Sequence, residues 1–320
     1  MKGMVAFFLF WRDGGPVQDR EEYFTEYSEF IPGLLSFQES LRRPLPVHLR
    51  INGLKGDPGS VVSGLIKSGI DLEEVPGGQG TLYHCPNLKS PGKLLAYFLG
   101  HIHPQAFTSC LASLVLRPKK DSSVLDLCAA PGGKTSHLAQ LMNNSGIIVA
   151  NELHPSRHVP LGHTLYRLGV LNTAVTAYQA QEFPLKERFD FVLADVPCSG
   201  EGRFRAIKKG AFYRQGRGRR KLPDLQKRII LRAFDLLDDK GVMLYSTCTY
   251  NPYENEAVVT DLLRKRGAEI LPIRVSWDHM PGLLEWKGTQ YDEQMERAVR
   301  FYPHQVDSVG FFMARIGRRC

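Results

Sequence analysis

A doubly wound, mostly parallel α/β sheet preceded by a small α+β module is the fold class this sequence predicts, and three observations carry it. From about residue 122 onward, short β-rich runs alternate with helical patterns, the order expected of strands joined by crossover helices. Small, acidic and thiol-bearing residues follow directly on those runs, where a sheet of this kind holds its ligands. RAVRFYP and VGFFMARIG, near the C-terminus, read as two further strands, a closing hairpin at one edge.

From about residue 20, REEYFTEYSEFIPGLLSFQESL predicts a helix interrupted near Pro32. VHLRIN follows as a strand, and PGSVVSGLIKSGI as a helix begun by Pro58. EEVPGGQGTLY is glycine-rich and turn-like, and LLAYFLGHIHPQAFTSCLASLVL carries helical apolar periodicity into the larger domain. The division is expected near residue 95, with a module over 1–95 and the main domain over 96–320. In the main domain SVLDL, GIIVAN, AVTAY, FDFVLAD and GVMLYST read as strands. GKTSHLAQLM, SRHVPLGHTLYRLG, LPDLQKRIILRAFDLL and NPYENEAVVTDLLRKR read as the intervening helices, and there is no internal repeat.

With 320 residues, 43% of them apolar and 23% charged, the chain can bury a substantial core. Its formal net charge of +8 favours a polyanionic partner, nucleic acid first. MVAFFLFW, residues 4–11, is shorter than the roughly 20 residues that span a bilayer, and with one lysine ahead and no small-residue cleavage site behind it makes a poor secretory signal. A cytoplasmic protein is expected. Cys85, Cys110, Cys128, Cys198, Cys248 and Cys320 lack C-x-x-C spacing, which argues against a disulfide scaffold and a zinc ribbon. His84, Cys85, His101 and His103 are ligand types at irregular spacing, so no metal is expected.

The site is expected along the carboxyl ends of the strands. DLCAAPGGKT, Asp126 to Thr135, closes the first with small residues that let a ligand approach the backbone, followed by a partly positive helix start. A nucleotide-like cofactor suits it, although neither a phosphate-cradling P-loop nor G-x-G-x-x-G is present. Glu152, at the second strand end, can accept the hydroxyl protons of a ribose. ADVPCSGEG sets Asp195, Pro197 and Cys198 in one tight turn at the fourth, and YSTCTYNPYENE puts Cys248 just past the fifth. Asn251, Pro252 and Glu254 there predict a capped helix start whose N-terminus would lower the Cys248 thiol.

DLCAAPGGKT, DVPCSGEG, YSTCTYNPYENE and the terminal YPHQVDSVGFF together resemble the RNA cytosine-5 methyltransferases of the Sun (NSUN) family, over most of residues 45–320. HPQAFTSCL looks like a degenerate form of that family's Q-x-x-S-S segment. The resemblance implies a seven-stranded Rossmann-like methyltransferase sheet with an antiparallel edge hairpin, an RNA-binding N-terminal module, and a monomer acting on ribosomal or transfer RNA. It implies S-adenosylmethionine, with Cys128, Ala129, Ala130, Pro131, Gly132, Gly133 and Lys134 around its methionine part and Glu152 on its ribose. Arg157, Gln179 and Asp195 complete that set. Cys248 would be the nucleophile, Cys198 would assist product release, and Asp195 would face the target cytosine.

Such chemistry needs covalent help, because carbon 5 of cytosine accepts a methyl group only after a thiolate adds at carbon 6. Asp195 would stabilise the charge that develops as sulfur adds. The base must leave its stack, at about a few kcal/mol, which favours flexible or single-stranded RNA. The chain departs from the family's pattern at Gln179, where an acidic residue usually holds the adenine amino group, and at Pro160 and His163 in a helix expected to kink. With no further RNA-binding module in the sequence, capture falls to the core and the N-terminal module. RFRAIKKGAFYRQGRGRRK, residues 203–221, reads as a basic and aromatic RNA clamp beside Asp195. Lys119, Lys120, Arg318 and Arg319 read as surface charge. Two alternatives stand: a DNA cytosine-5 methyltransferase, disfavoured because E-N-V is absent, and an RNA-binding or ribosome-assembly protein with little turnover, which only Gln179 invites.

Overall fold

The computed structural model describes residues 24–206 and 221–319. The run at 4–11 and most of the basic stretch, residues 207–220, therefore lie outside the described residues. A 3₁₀ turn, Thr25–Tyr27, leads to α1, Leu34–Arg42, so the expected interrupted helix has one regular half, begun after Gly33 in a left-handed conformation. The N-terminal sheet has the order β2-β3-β1-β4, formed by β1 (His48–Ile51), β2 (Glu73–Glu74), β3 (Leu82–His84) and β4 (Ile102–Pro104). The helix α2, Pro58–Lys67, begins as expected, with the Asp57 carboxylate accepting from the Ser60 amide at 2.8 Å.

The run at 94–116 is not one helix. A short α3, Leu95–Phe98, gives way to β4 before α4, Phe107–Leu116. Gly100 forces the break: its φ is +77°, and a Cβ there would lie 1.9 Å from the Arg167 carbonyl oxygen. The N-terminal sheet thus takes its last strand beyond residue 95.

The main domain follows as β5 (Ser123–Asp126), α5 (Gly133–Leu141), β6 (Ile147–Asn151), α6 (Pro155–Arg167), β7 (Thr173–Thr176), β8 (Phe189–Asp195), α7 (Leu222–Asp235), β9 (Leu237–Thr247) and α8 (Glu256–Lys265). After these come β10 (Ala268–Leu271), β11 (Met280–Pro281), the small β12–β13 pair (Glu285–Trp286, Thr289–Gln290), β14 (Val299–Phe301), α9 (Pro303–Val306) and β15 (Phe311–Arg318). Strands β7-β6-β5-β8-β9 run parallel, and β15 lies antiparallel against β9. The described sheet has nine strands against the seven expected. Eight-residue β15 pairs with β14 along its first half and β10 along its second, and two-residue β11 adds to β14.

Alternation along the strands separates two cores. Leu125, Val192, Ala194, Met243 and Tyr245 pack with α7, α8 and Phe37 on one face, and Val124, Leu193 and Leu244 pack with α4 and α5 on the other. The strand order reverses at β5, flanked by β6 and β8. Because the strands run parallel, Asp126, Asn151, Thr176, Asp195 and Thr247 all end on one edge. Helix α6 continues across Pro160, whose ring replaces one backbone donor.

Candidate functional site

Two thiols meet at that edge. Asp195 and Ser246 are register partners, so the turns after β8 and β9 leave the sheet side by side, and the Sγ atoms of Cys198 and Cys248 lie 3.4 Å apart. Gly202 donates its amide to the Cys248 carbonyl at 2.9 Å and accepts from Gly310 at 2.9 Å. A Cβ at Gly202 would stand 2.2 Å from the Gly310 carbonyl oxygen, so the loop before β15 approaches only because glycine stands there. YPHQVDSVGFF thereby buttresses the cysteine turns.

Glu254 does not form the expected capping box. The turn at 251–254 stands apart from α8, which starts at Glu256 behind Asn255, and Asn251 Oδ1 accepts from the Tyr253 amide at 3.0 Å. Glu254 Oε2 is buried and accepts from the Ser199 amide at 2.8 Å and Gln226 Nε2 at 2.9 Å, while the same Nε2 reaches the Pro197 carbonyl at 2.8 Å. One carboxylate thus ties the Cys248 loop to the Cys198 turn. Ser199 Oγ and Thr249 Oγ1, 2.6 Å apart, add a second tie, continued from Thr249 to Glu201 at 2.9 Å.

Asp195 accepts from Lys134 Nζ at 2.8 Å and from Ser246 Oγ at 2.8 Å. Sequence reasoning read Lys134 only through its backbone and missed this ion pair. Its signal was a lone cation in the first turn after the central strand. Burial acts to lower Lys134, but Asp195 outweighs it and holds the ammonium above its usual range. The Cys248 thiol is lowered, first by its hydrogen bond with Cys198, with Arg203 and Lys134 adding to the effect against burial and Asp195. Cys198 is raised, by that same contact, by burial and by Glu254. The hydrogen bond that lowers Cys248 is the one that raises Cys198, so Cys248 is the more acidic of the two. The helix N-terminus expected to do this lies at residue 256.

At the first strand end, Cys128 to Gly132 turn between β5 and α5. Gly132 takes φ +97°, and a Cβ there would lie 3.0 Å from Leu161. Glu152, 3% exposed, accepts from Arg157 Nη1 at 2.9 Å and from the His154 amide at 2.9 Å. Arg157 Nη2 donates to the Ala130 carbonyl at 2.6 Å, joining the first and second strand ends. Asp126 is buried with Oδ2 bonded to Thr135 at 2.7 Å and Oδ1 unpartnered among the described residues, and burial pushes its carboxyl up to about 7. Cys128 is pushed far up by burial, then by Asp126, Asp195 and Glu152. Three carboxylates around a glycine turn, one with a free buried oxygen, suit a cofactor that carries ammonium and sulfonium charge and ribose hydroxyls. Gln179, three residues past β7 on the same edge, is exposed and accepts from Gln181 at 2.7 Å.

Other expected residues have structural partners. Phe204 packs edge-on against Phe24, and buried Arg205 pairs with Asp307 at 2.7 Å and with the Pro44 carbonyl at 2.8 Å. These two clamp residues therefore anchor the N-terminal segment. Arg318 is not plain surface charge, because it caps the Leu237 carbonyl at 2.7 Å over the Phe234 ring. His84 pairs with Glu73 and His103 with Arg167, and among the described residues no three His, Cys, Asp or Glu gather as a metal set. No helix among the described residues is long and apolar enough to cross a membrane.

Comparison with known proteins agrees with this geometry. Residues 113–317 match the family described as 16S rRNA methyltransferase RsmB/F. The chain is 36% identical to a tRNA (cytosine(49)-C(5))-methyltransferase of Pyrococcus abyssi, over 88% of this chain and 90% of that protein. It is 33% identical to the human 28S rRNA (cytosine(4447)-C(5))-methyltransferase over 88% of this chain, but spans only 35% of that longer protein. A crystal structure of a methyltransferase homologue from Pyrococcus horikoshii, 30% identical, superposes with a TM-score of 0.82 over 94% of this chain and 97% of that one. The fold, the strand-end residues and these matches agree: the chain belongs to the RsmB/F family of RNA cytosine-C5-methyltransferases.

Proposed function

We propose that this protein methylates carbon 5 of a cytosine in ribosomal or transfer RNA, with Cys248 as nucleophile, Cys198 as the thiol that assists release, and Asp195 as the group facing the base. The observation that carries it is the 3.4 Å contact between Cys198 and Cys248 beside the Lys134–Asp195 pair. The hydrogen bond with Cys198, and after it Arg203 and Lys134, favour the Cys248 thiolate, which adds at carbon 6 of an extruded cytosine. Lys134 and Ser246 hold both Asp195 oxygens, so its carboxylate is oriented before the base arrives. Cys198, retained as a thiol, stands beside the carbon–sulfur bond that must break for release.

S-adenosylmethionine, when bound, supplies the methyl group to carbon 5. The turn from Cys128 through Ala129, Ala130, Pro131, Gly132 and Gly133 to Lys134 would hold its methionine part, Glu152 its ribose, and Gln179 its adenine edge, with Arg157 fixing Glu152. The reading without turnover rested on Gln179 alone, and the two thiols with their flanking cations support catalysis instead.

The test is transfer of labelled methyl from S-adenosylmethionine to total RNA, followed by nucleoside analysis. Labelled 5-methylcytidine is expected, and its absence with every RNA class overturns the assignment. Bisulfite sequencing of RNA from a deletion strain then identifies the nucleotide.

A further inference from the structure

The glycine-rich turn of EEVPGGQGTLY has no part in the site above, yet it walls a second cavity. A space of about 520 Å³ lies between that turn, an apolar wall from α4 and the segment at 272–277. Trp277 Nε1 donates to the Pro76 carbonyl at 2.8 Å, and its ring lies 4.4 Å from that of Phe107. The walls, some two hundred positions apart in the chain, are thus pinned together. Gly77 and Gln79 take positive φ, +74° and +55°, which curves the turn along the rim.

The charge lining this space is one-sided. Arg117, Arg274 and Arg315 face it, and none of the residues lining it is acidic. Arg315 sits on β15 opposite Leu244 of β9, three residues from Phe312, which pairs with Thr247 beside Cys248. At about 3.4 Å per residue it lies roughly 10 Å behind the catalytic edge. It shares a strand face with Met313 on the α4 side. Its Nε is buried and has no hydrogen-bond partner among the described residues. The rest of the side chain is only half-buried, and a buried N–H without an acceptor is costly unless a ligand provides one. Guanidinium forks bind phosphate oxygens two at a time, an indole offers a face to a base, and the volume is that of a small-ligand site.

We propose that this cavity is a second nucleotide-binding site, with Arg117, Arg274 and Arg315 on a phosphate and Trp277 beside the base, filled by a free nucleotide or by one unit of the RNA strand. It needs no methyl transfer, so it stands or falls apart from the reading of the catalytic site.

The test is calorimetric titration of the full chain, saturated with S-adenosylhomocysteine to fill the methyl-donor site. The probes are uridine 5′-monophosphate, a short oligouridylate and inorganic phosphate. Saturable binding of the nucleotide or the oligonucleotide is expected, weakened about tenfold or more by Arg274→Ala and by Arg315→Met, less by Trp277→Phe, and not by Arg228→Ala on α7. Tight binding of the mononucleotide identifies a free ligand, and binding of the oligonucleotide alone identifies a strand unit. Arg274 is exposed, so its variant decides the matter if Arg315→Met does not fold. The proposal is overturned if neither probe saturates, if Arg274→Ala binds as wild type does, if Arg228→Ala weakens binding equally, or if inorganic phosphate binds as tightly as the nucleotide.

Discussion

Cys198 and Cys248, fifty positions apart in the chain, bring their sulfurs to 3.4 Å at the tips of neighbouring parallel strands. A pyrimidine bonded at carbon 6 to one sulfur necessarily presents that bond to the other. Cys248→Ala is expected to abolish both methylation and adduct formation, whereas Cys198→Ala accumulates a covalent RNA adduct that survives denaturing electrophoresis. If Cys248→Ala alone forms the adduct, the two roles are exchanged.

Glu254 holds the two cysteine loops to each other through Ser199 and Gln226. Glu254→Ala leaves a buried amide and a buried carboxamide without their acceptor, at about 1–3 kcal/mol each. Loss of the thiol alignment should lower kcat by about tenfold or more with little change in KM for RNA. Glu254→Gln keeps an acceptor for Ser199 and should retain most of kcat. Were the alanine variant to lose thermal stability while keeping its turnover at low temperature, Glu254 would be scaffold and no more.

Much of this was legible from the chain, because strand ends and turn chemistry are local. The runs ending at Asp126, Asn151, Asp195 and Thr247 are strands as read, and the residues that follow them share one edge. What stayed hidden depends on distant partners. The Lys134 side chain meets Asp195 across 61 positions, and Glu254 meets Ser199 across 55, so neither contact leaves a periodic trace. NPYENE matched a helix start because Asn, Pro and Glu suit one, but the buried demand of Ser199 for an acceptor prevailed. Ile102–Pro104 was lost in an apolar run because burial alone does not separate a short strand from a helix.

Asp126 ties the electrostatics of the first strand end to stability. Burial raises its carboxyl from 3.8 to about 7. Between those values the folded protein binds a proton that the unfolded chain has released, so stability falls as pH rises through this window and levels off above about 7. Asp126→Asn cannot titrate. The melting temperature of that variant minus wild type, measured without cofactor, should therefore climb from about pH 4 to about pH 7 and then stay flat. A difference independent of pH across the window would show that Asp126 is ionised throughout.

Arg300 and Glu256 form a buried ion pair, 2% and 0% exposed, beneath the loop that carries Cys248. Arg300 Nε donates to Glu256 Oε1 at 2.6 Å and Nη1 to the Tyr250 carbonyl at 2.9 Å, while Glu256 also accepts from the Leu283 amide at 3.1 Å. Glu256 opens α8 and Tyr250 lies two residues past Cys248, so the pair fixes where the loop enters the helix. Arg300→Met leaves the carboxylate buried without its cation and should cost about 3–5 kcal/mol in denaturant unfolding. Arg300→Met combined with Glu256→Gln removes both charges and should recover about half of that or more, because the uncompensated charge, rather than the lost attraction, dominates the penalty. Equal losses in the single and double variants would mean that the hydrogen bond to the Tyr250 carbonyl, lost in both, and not the buried charge, carries the stability.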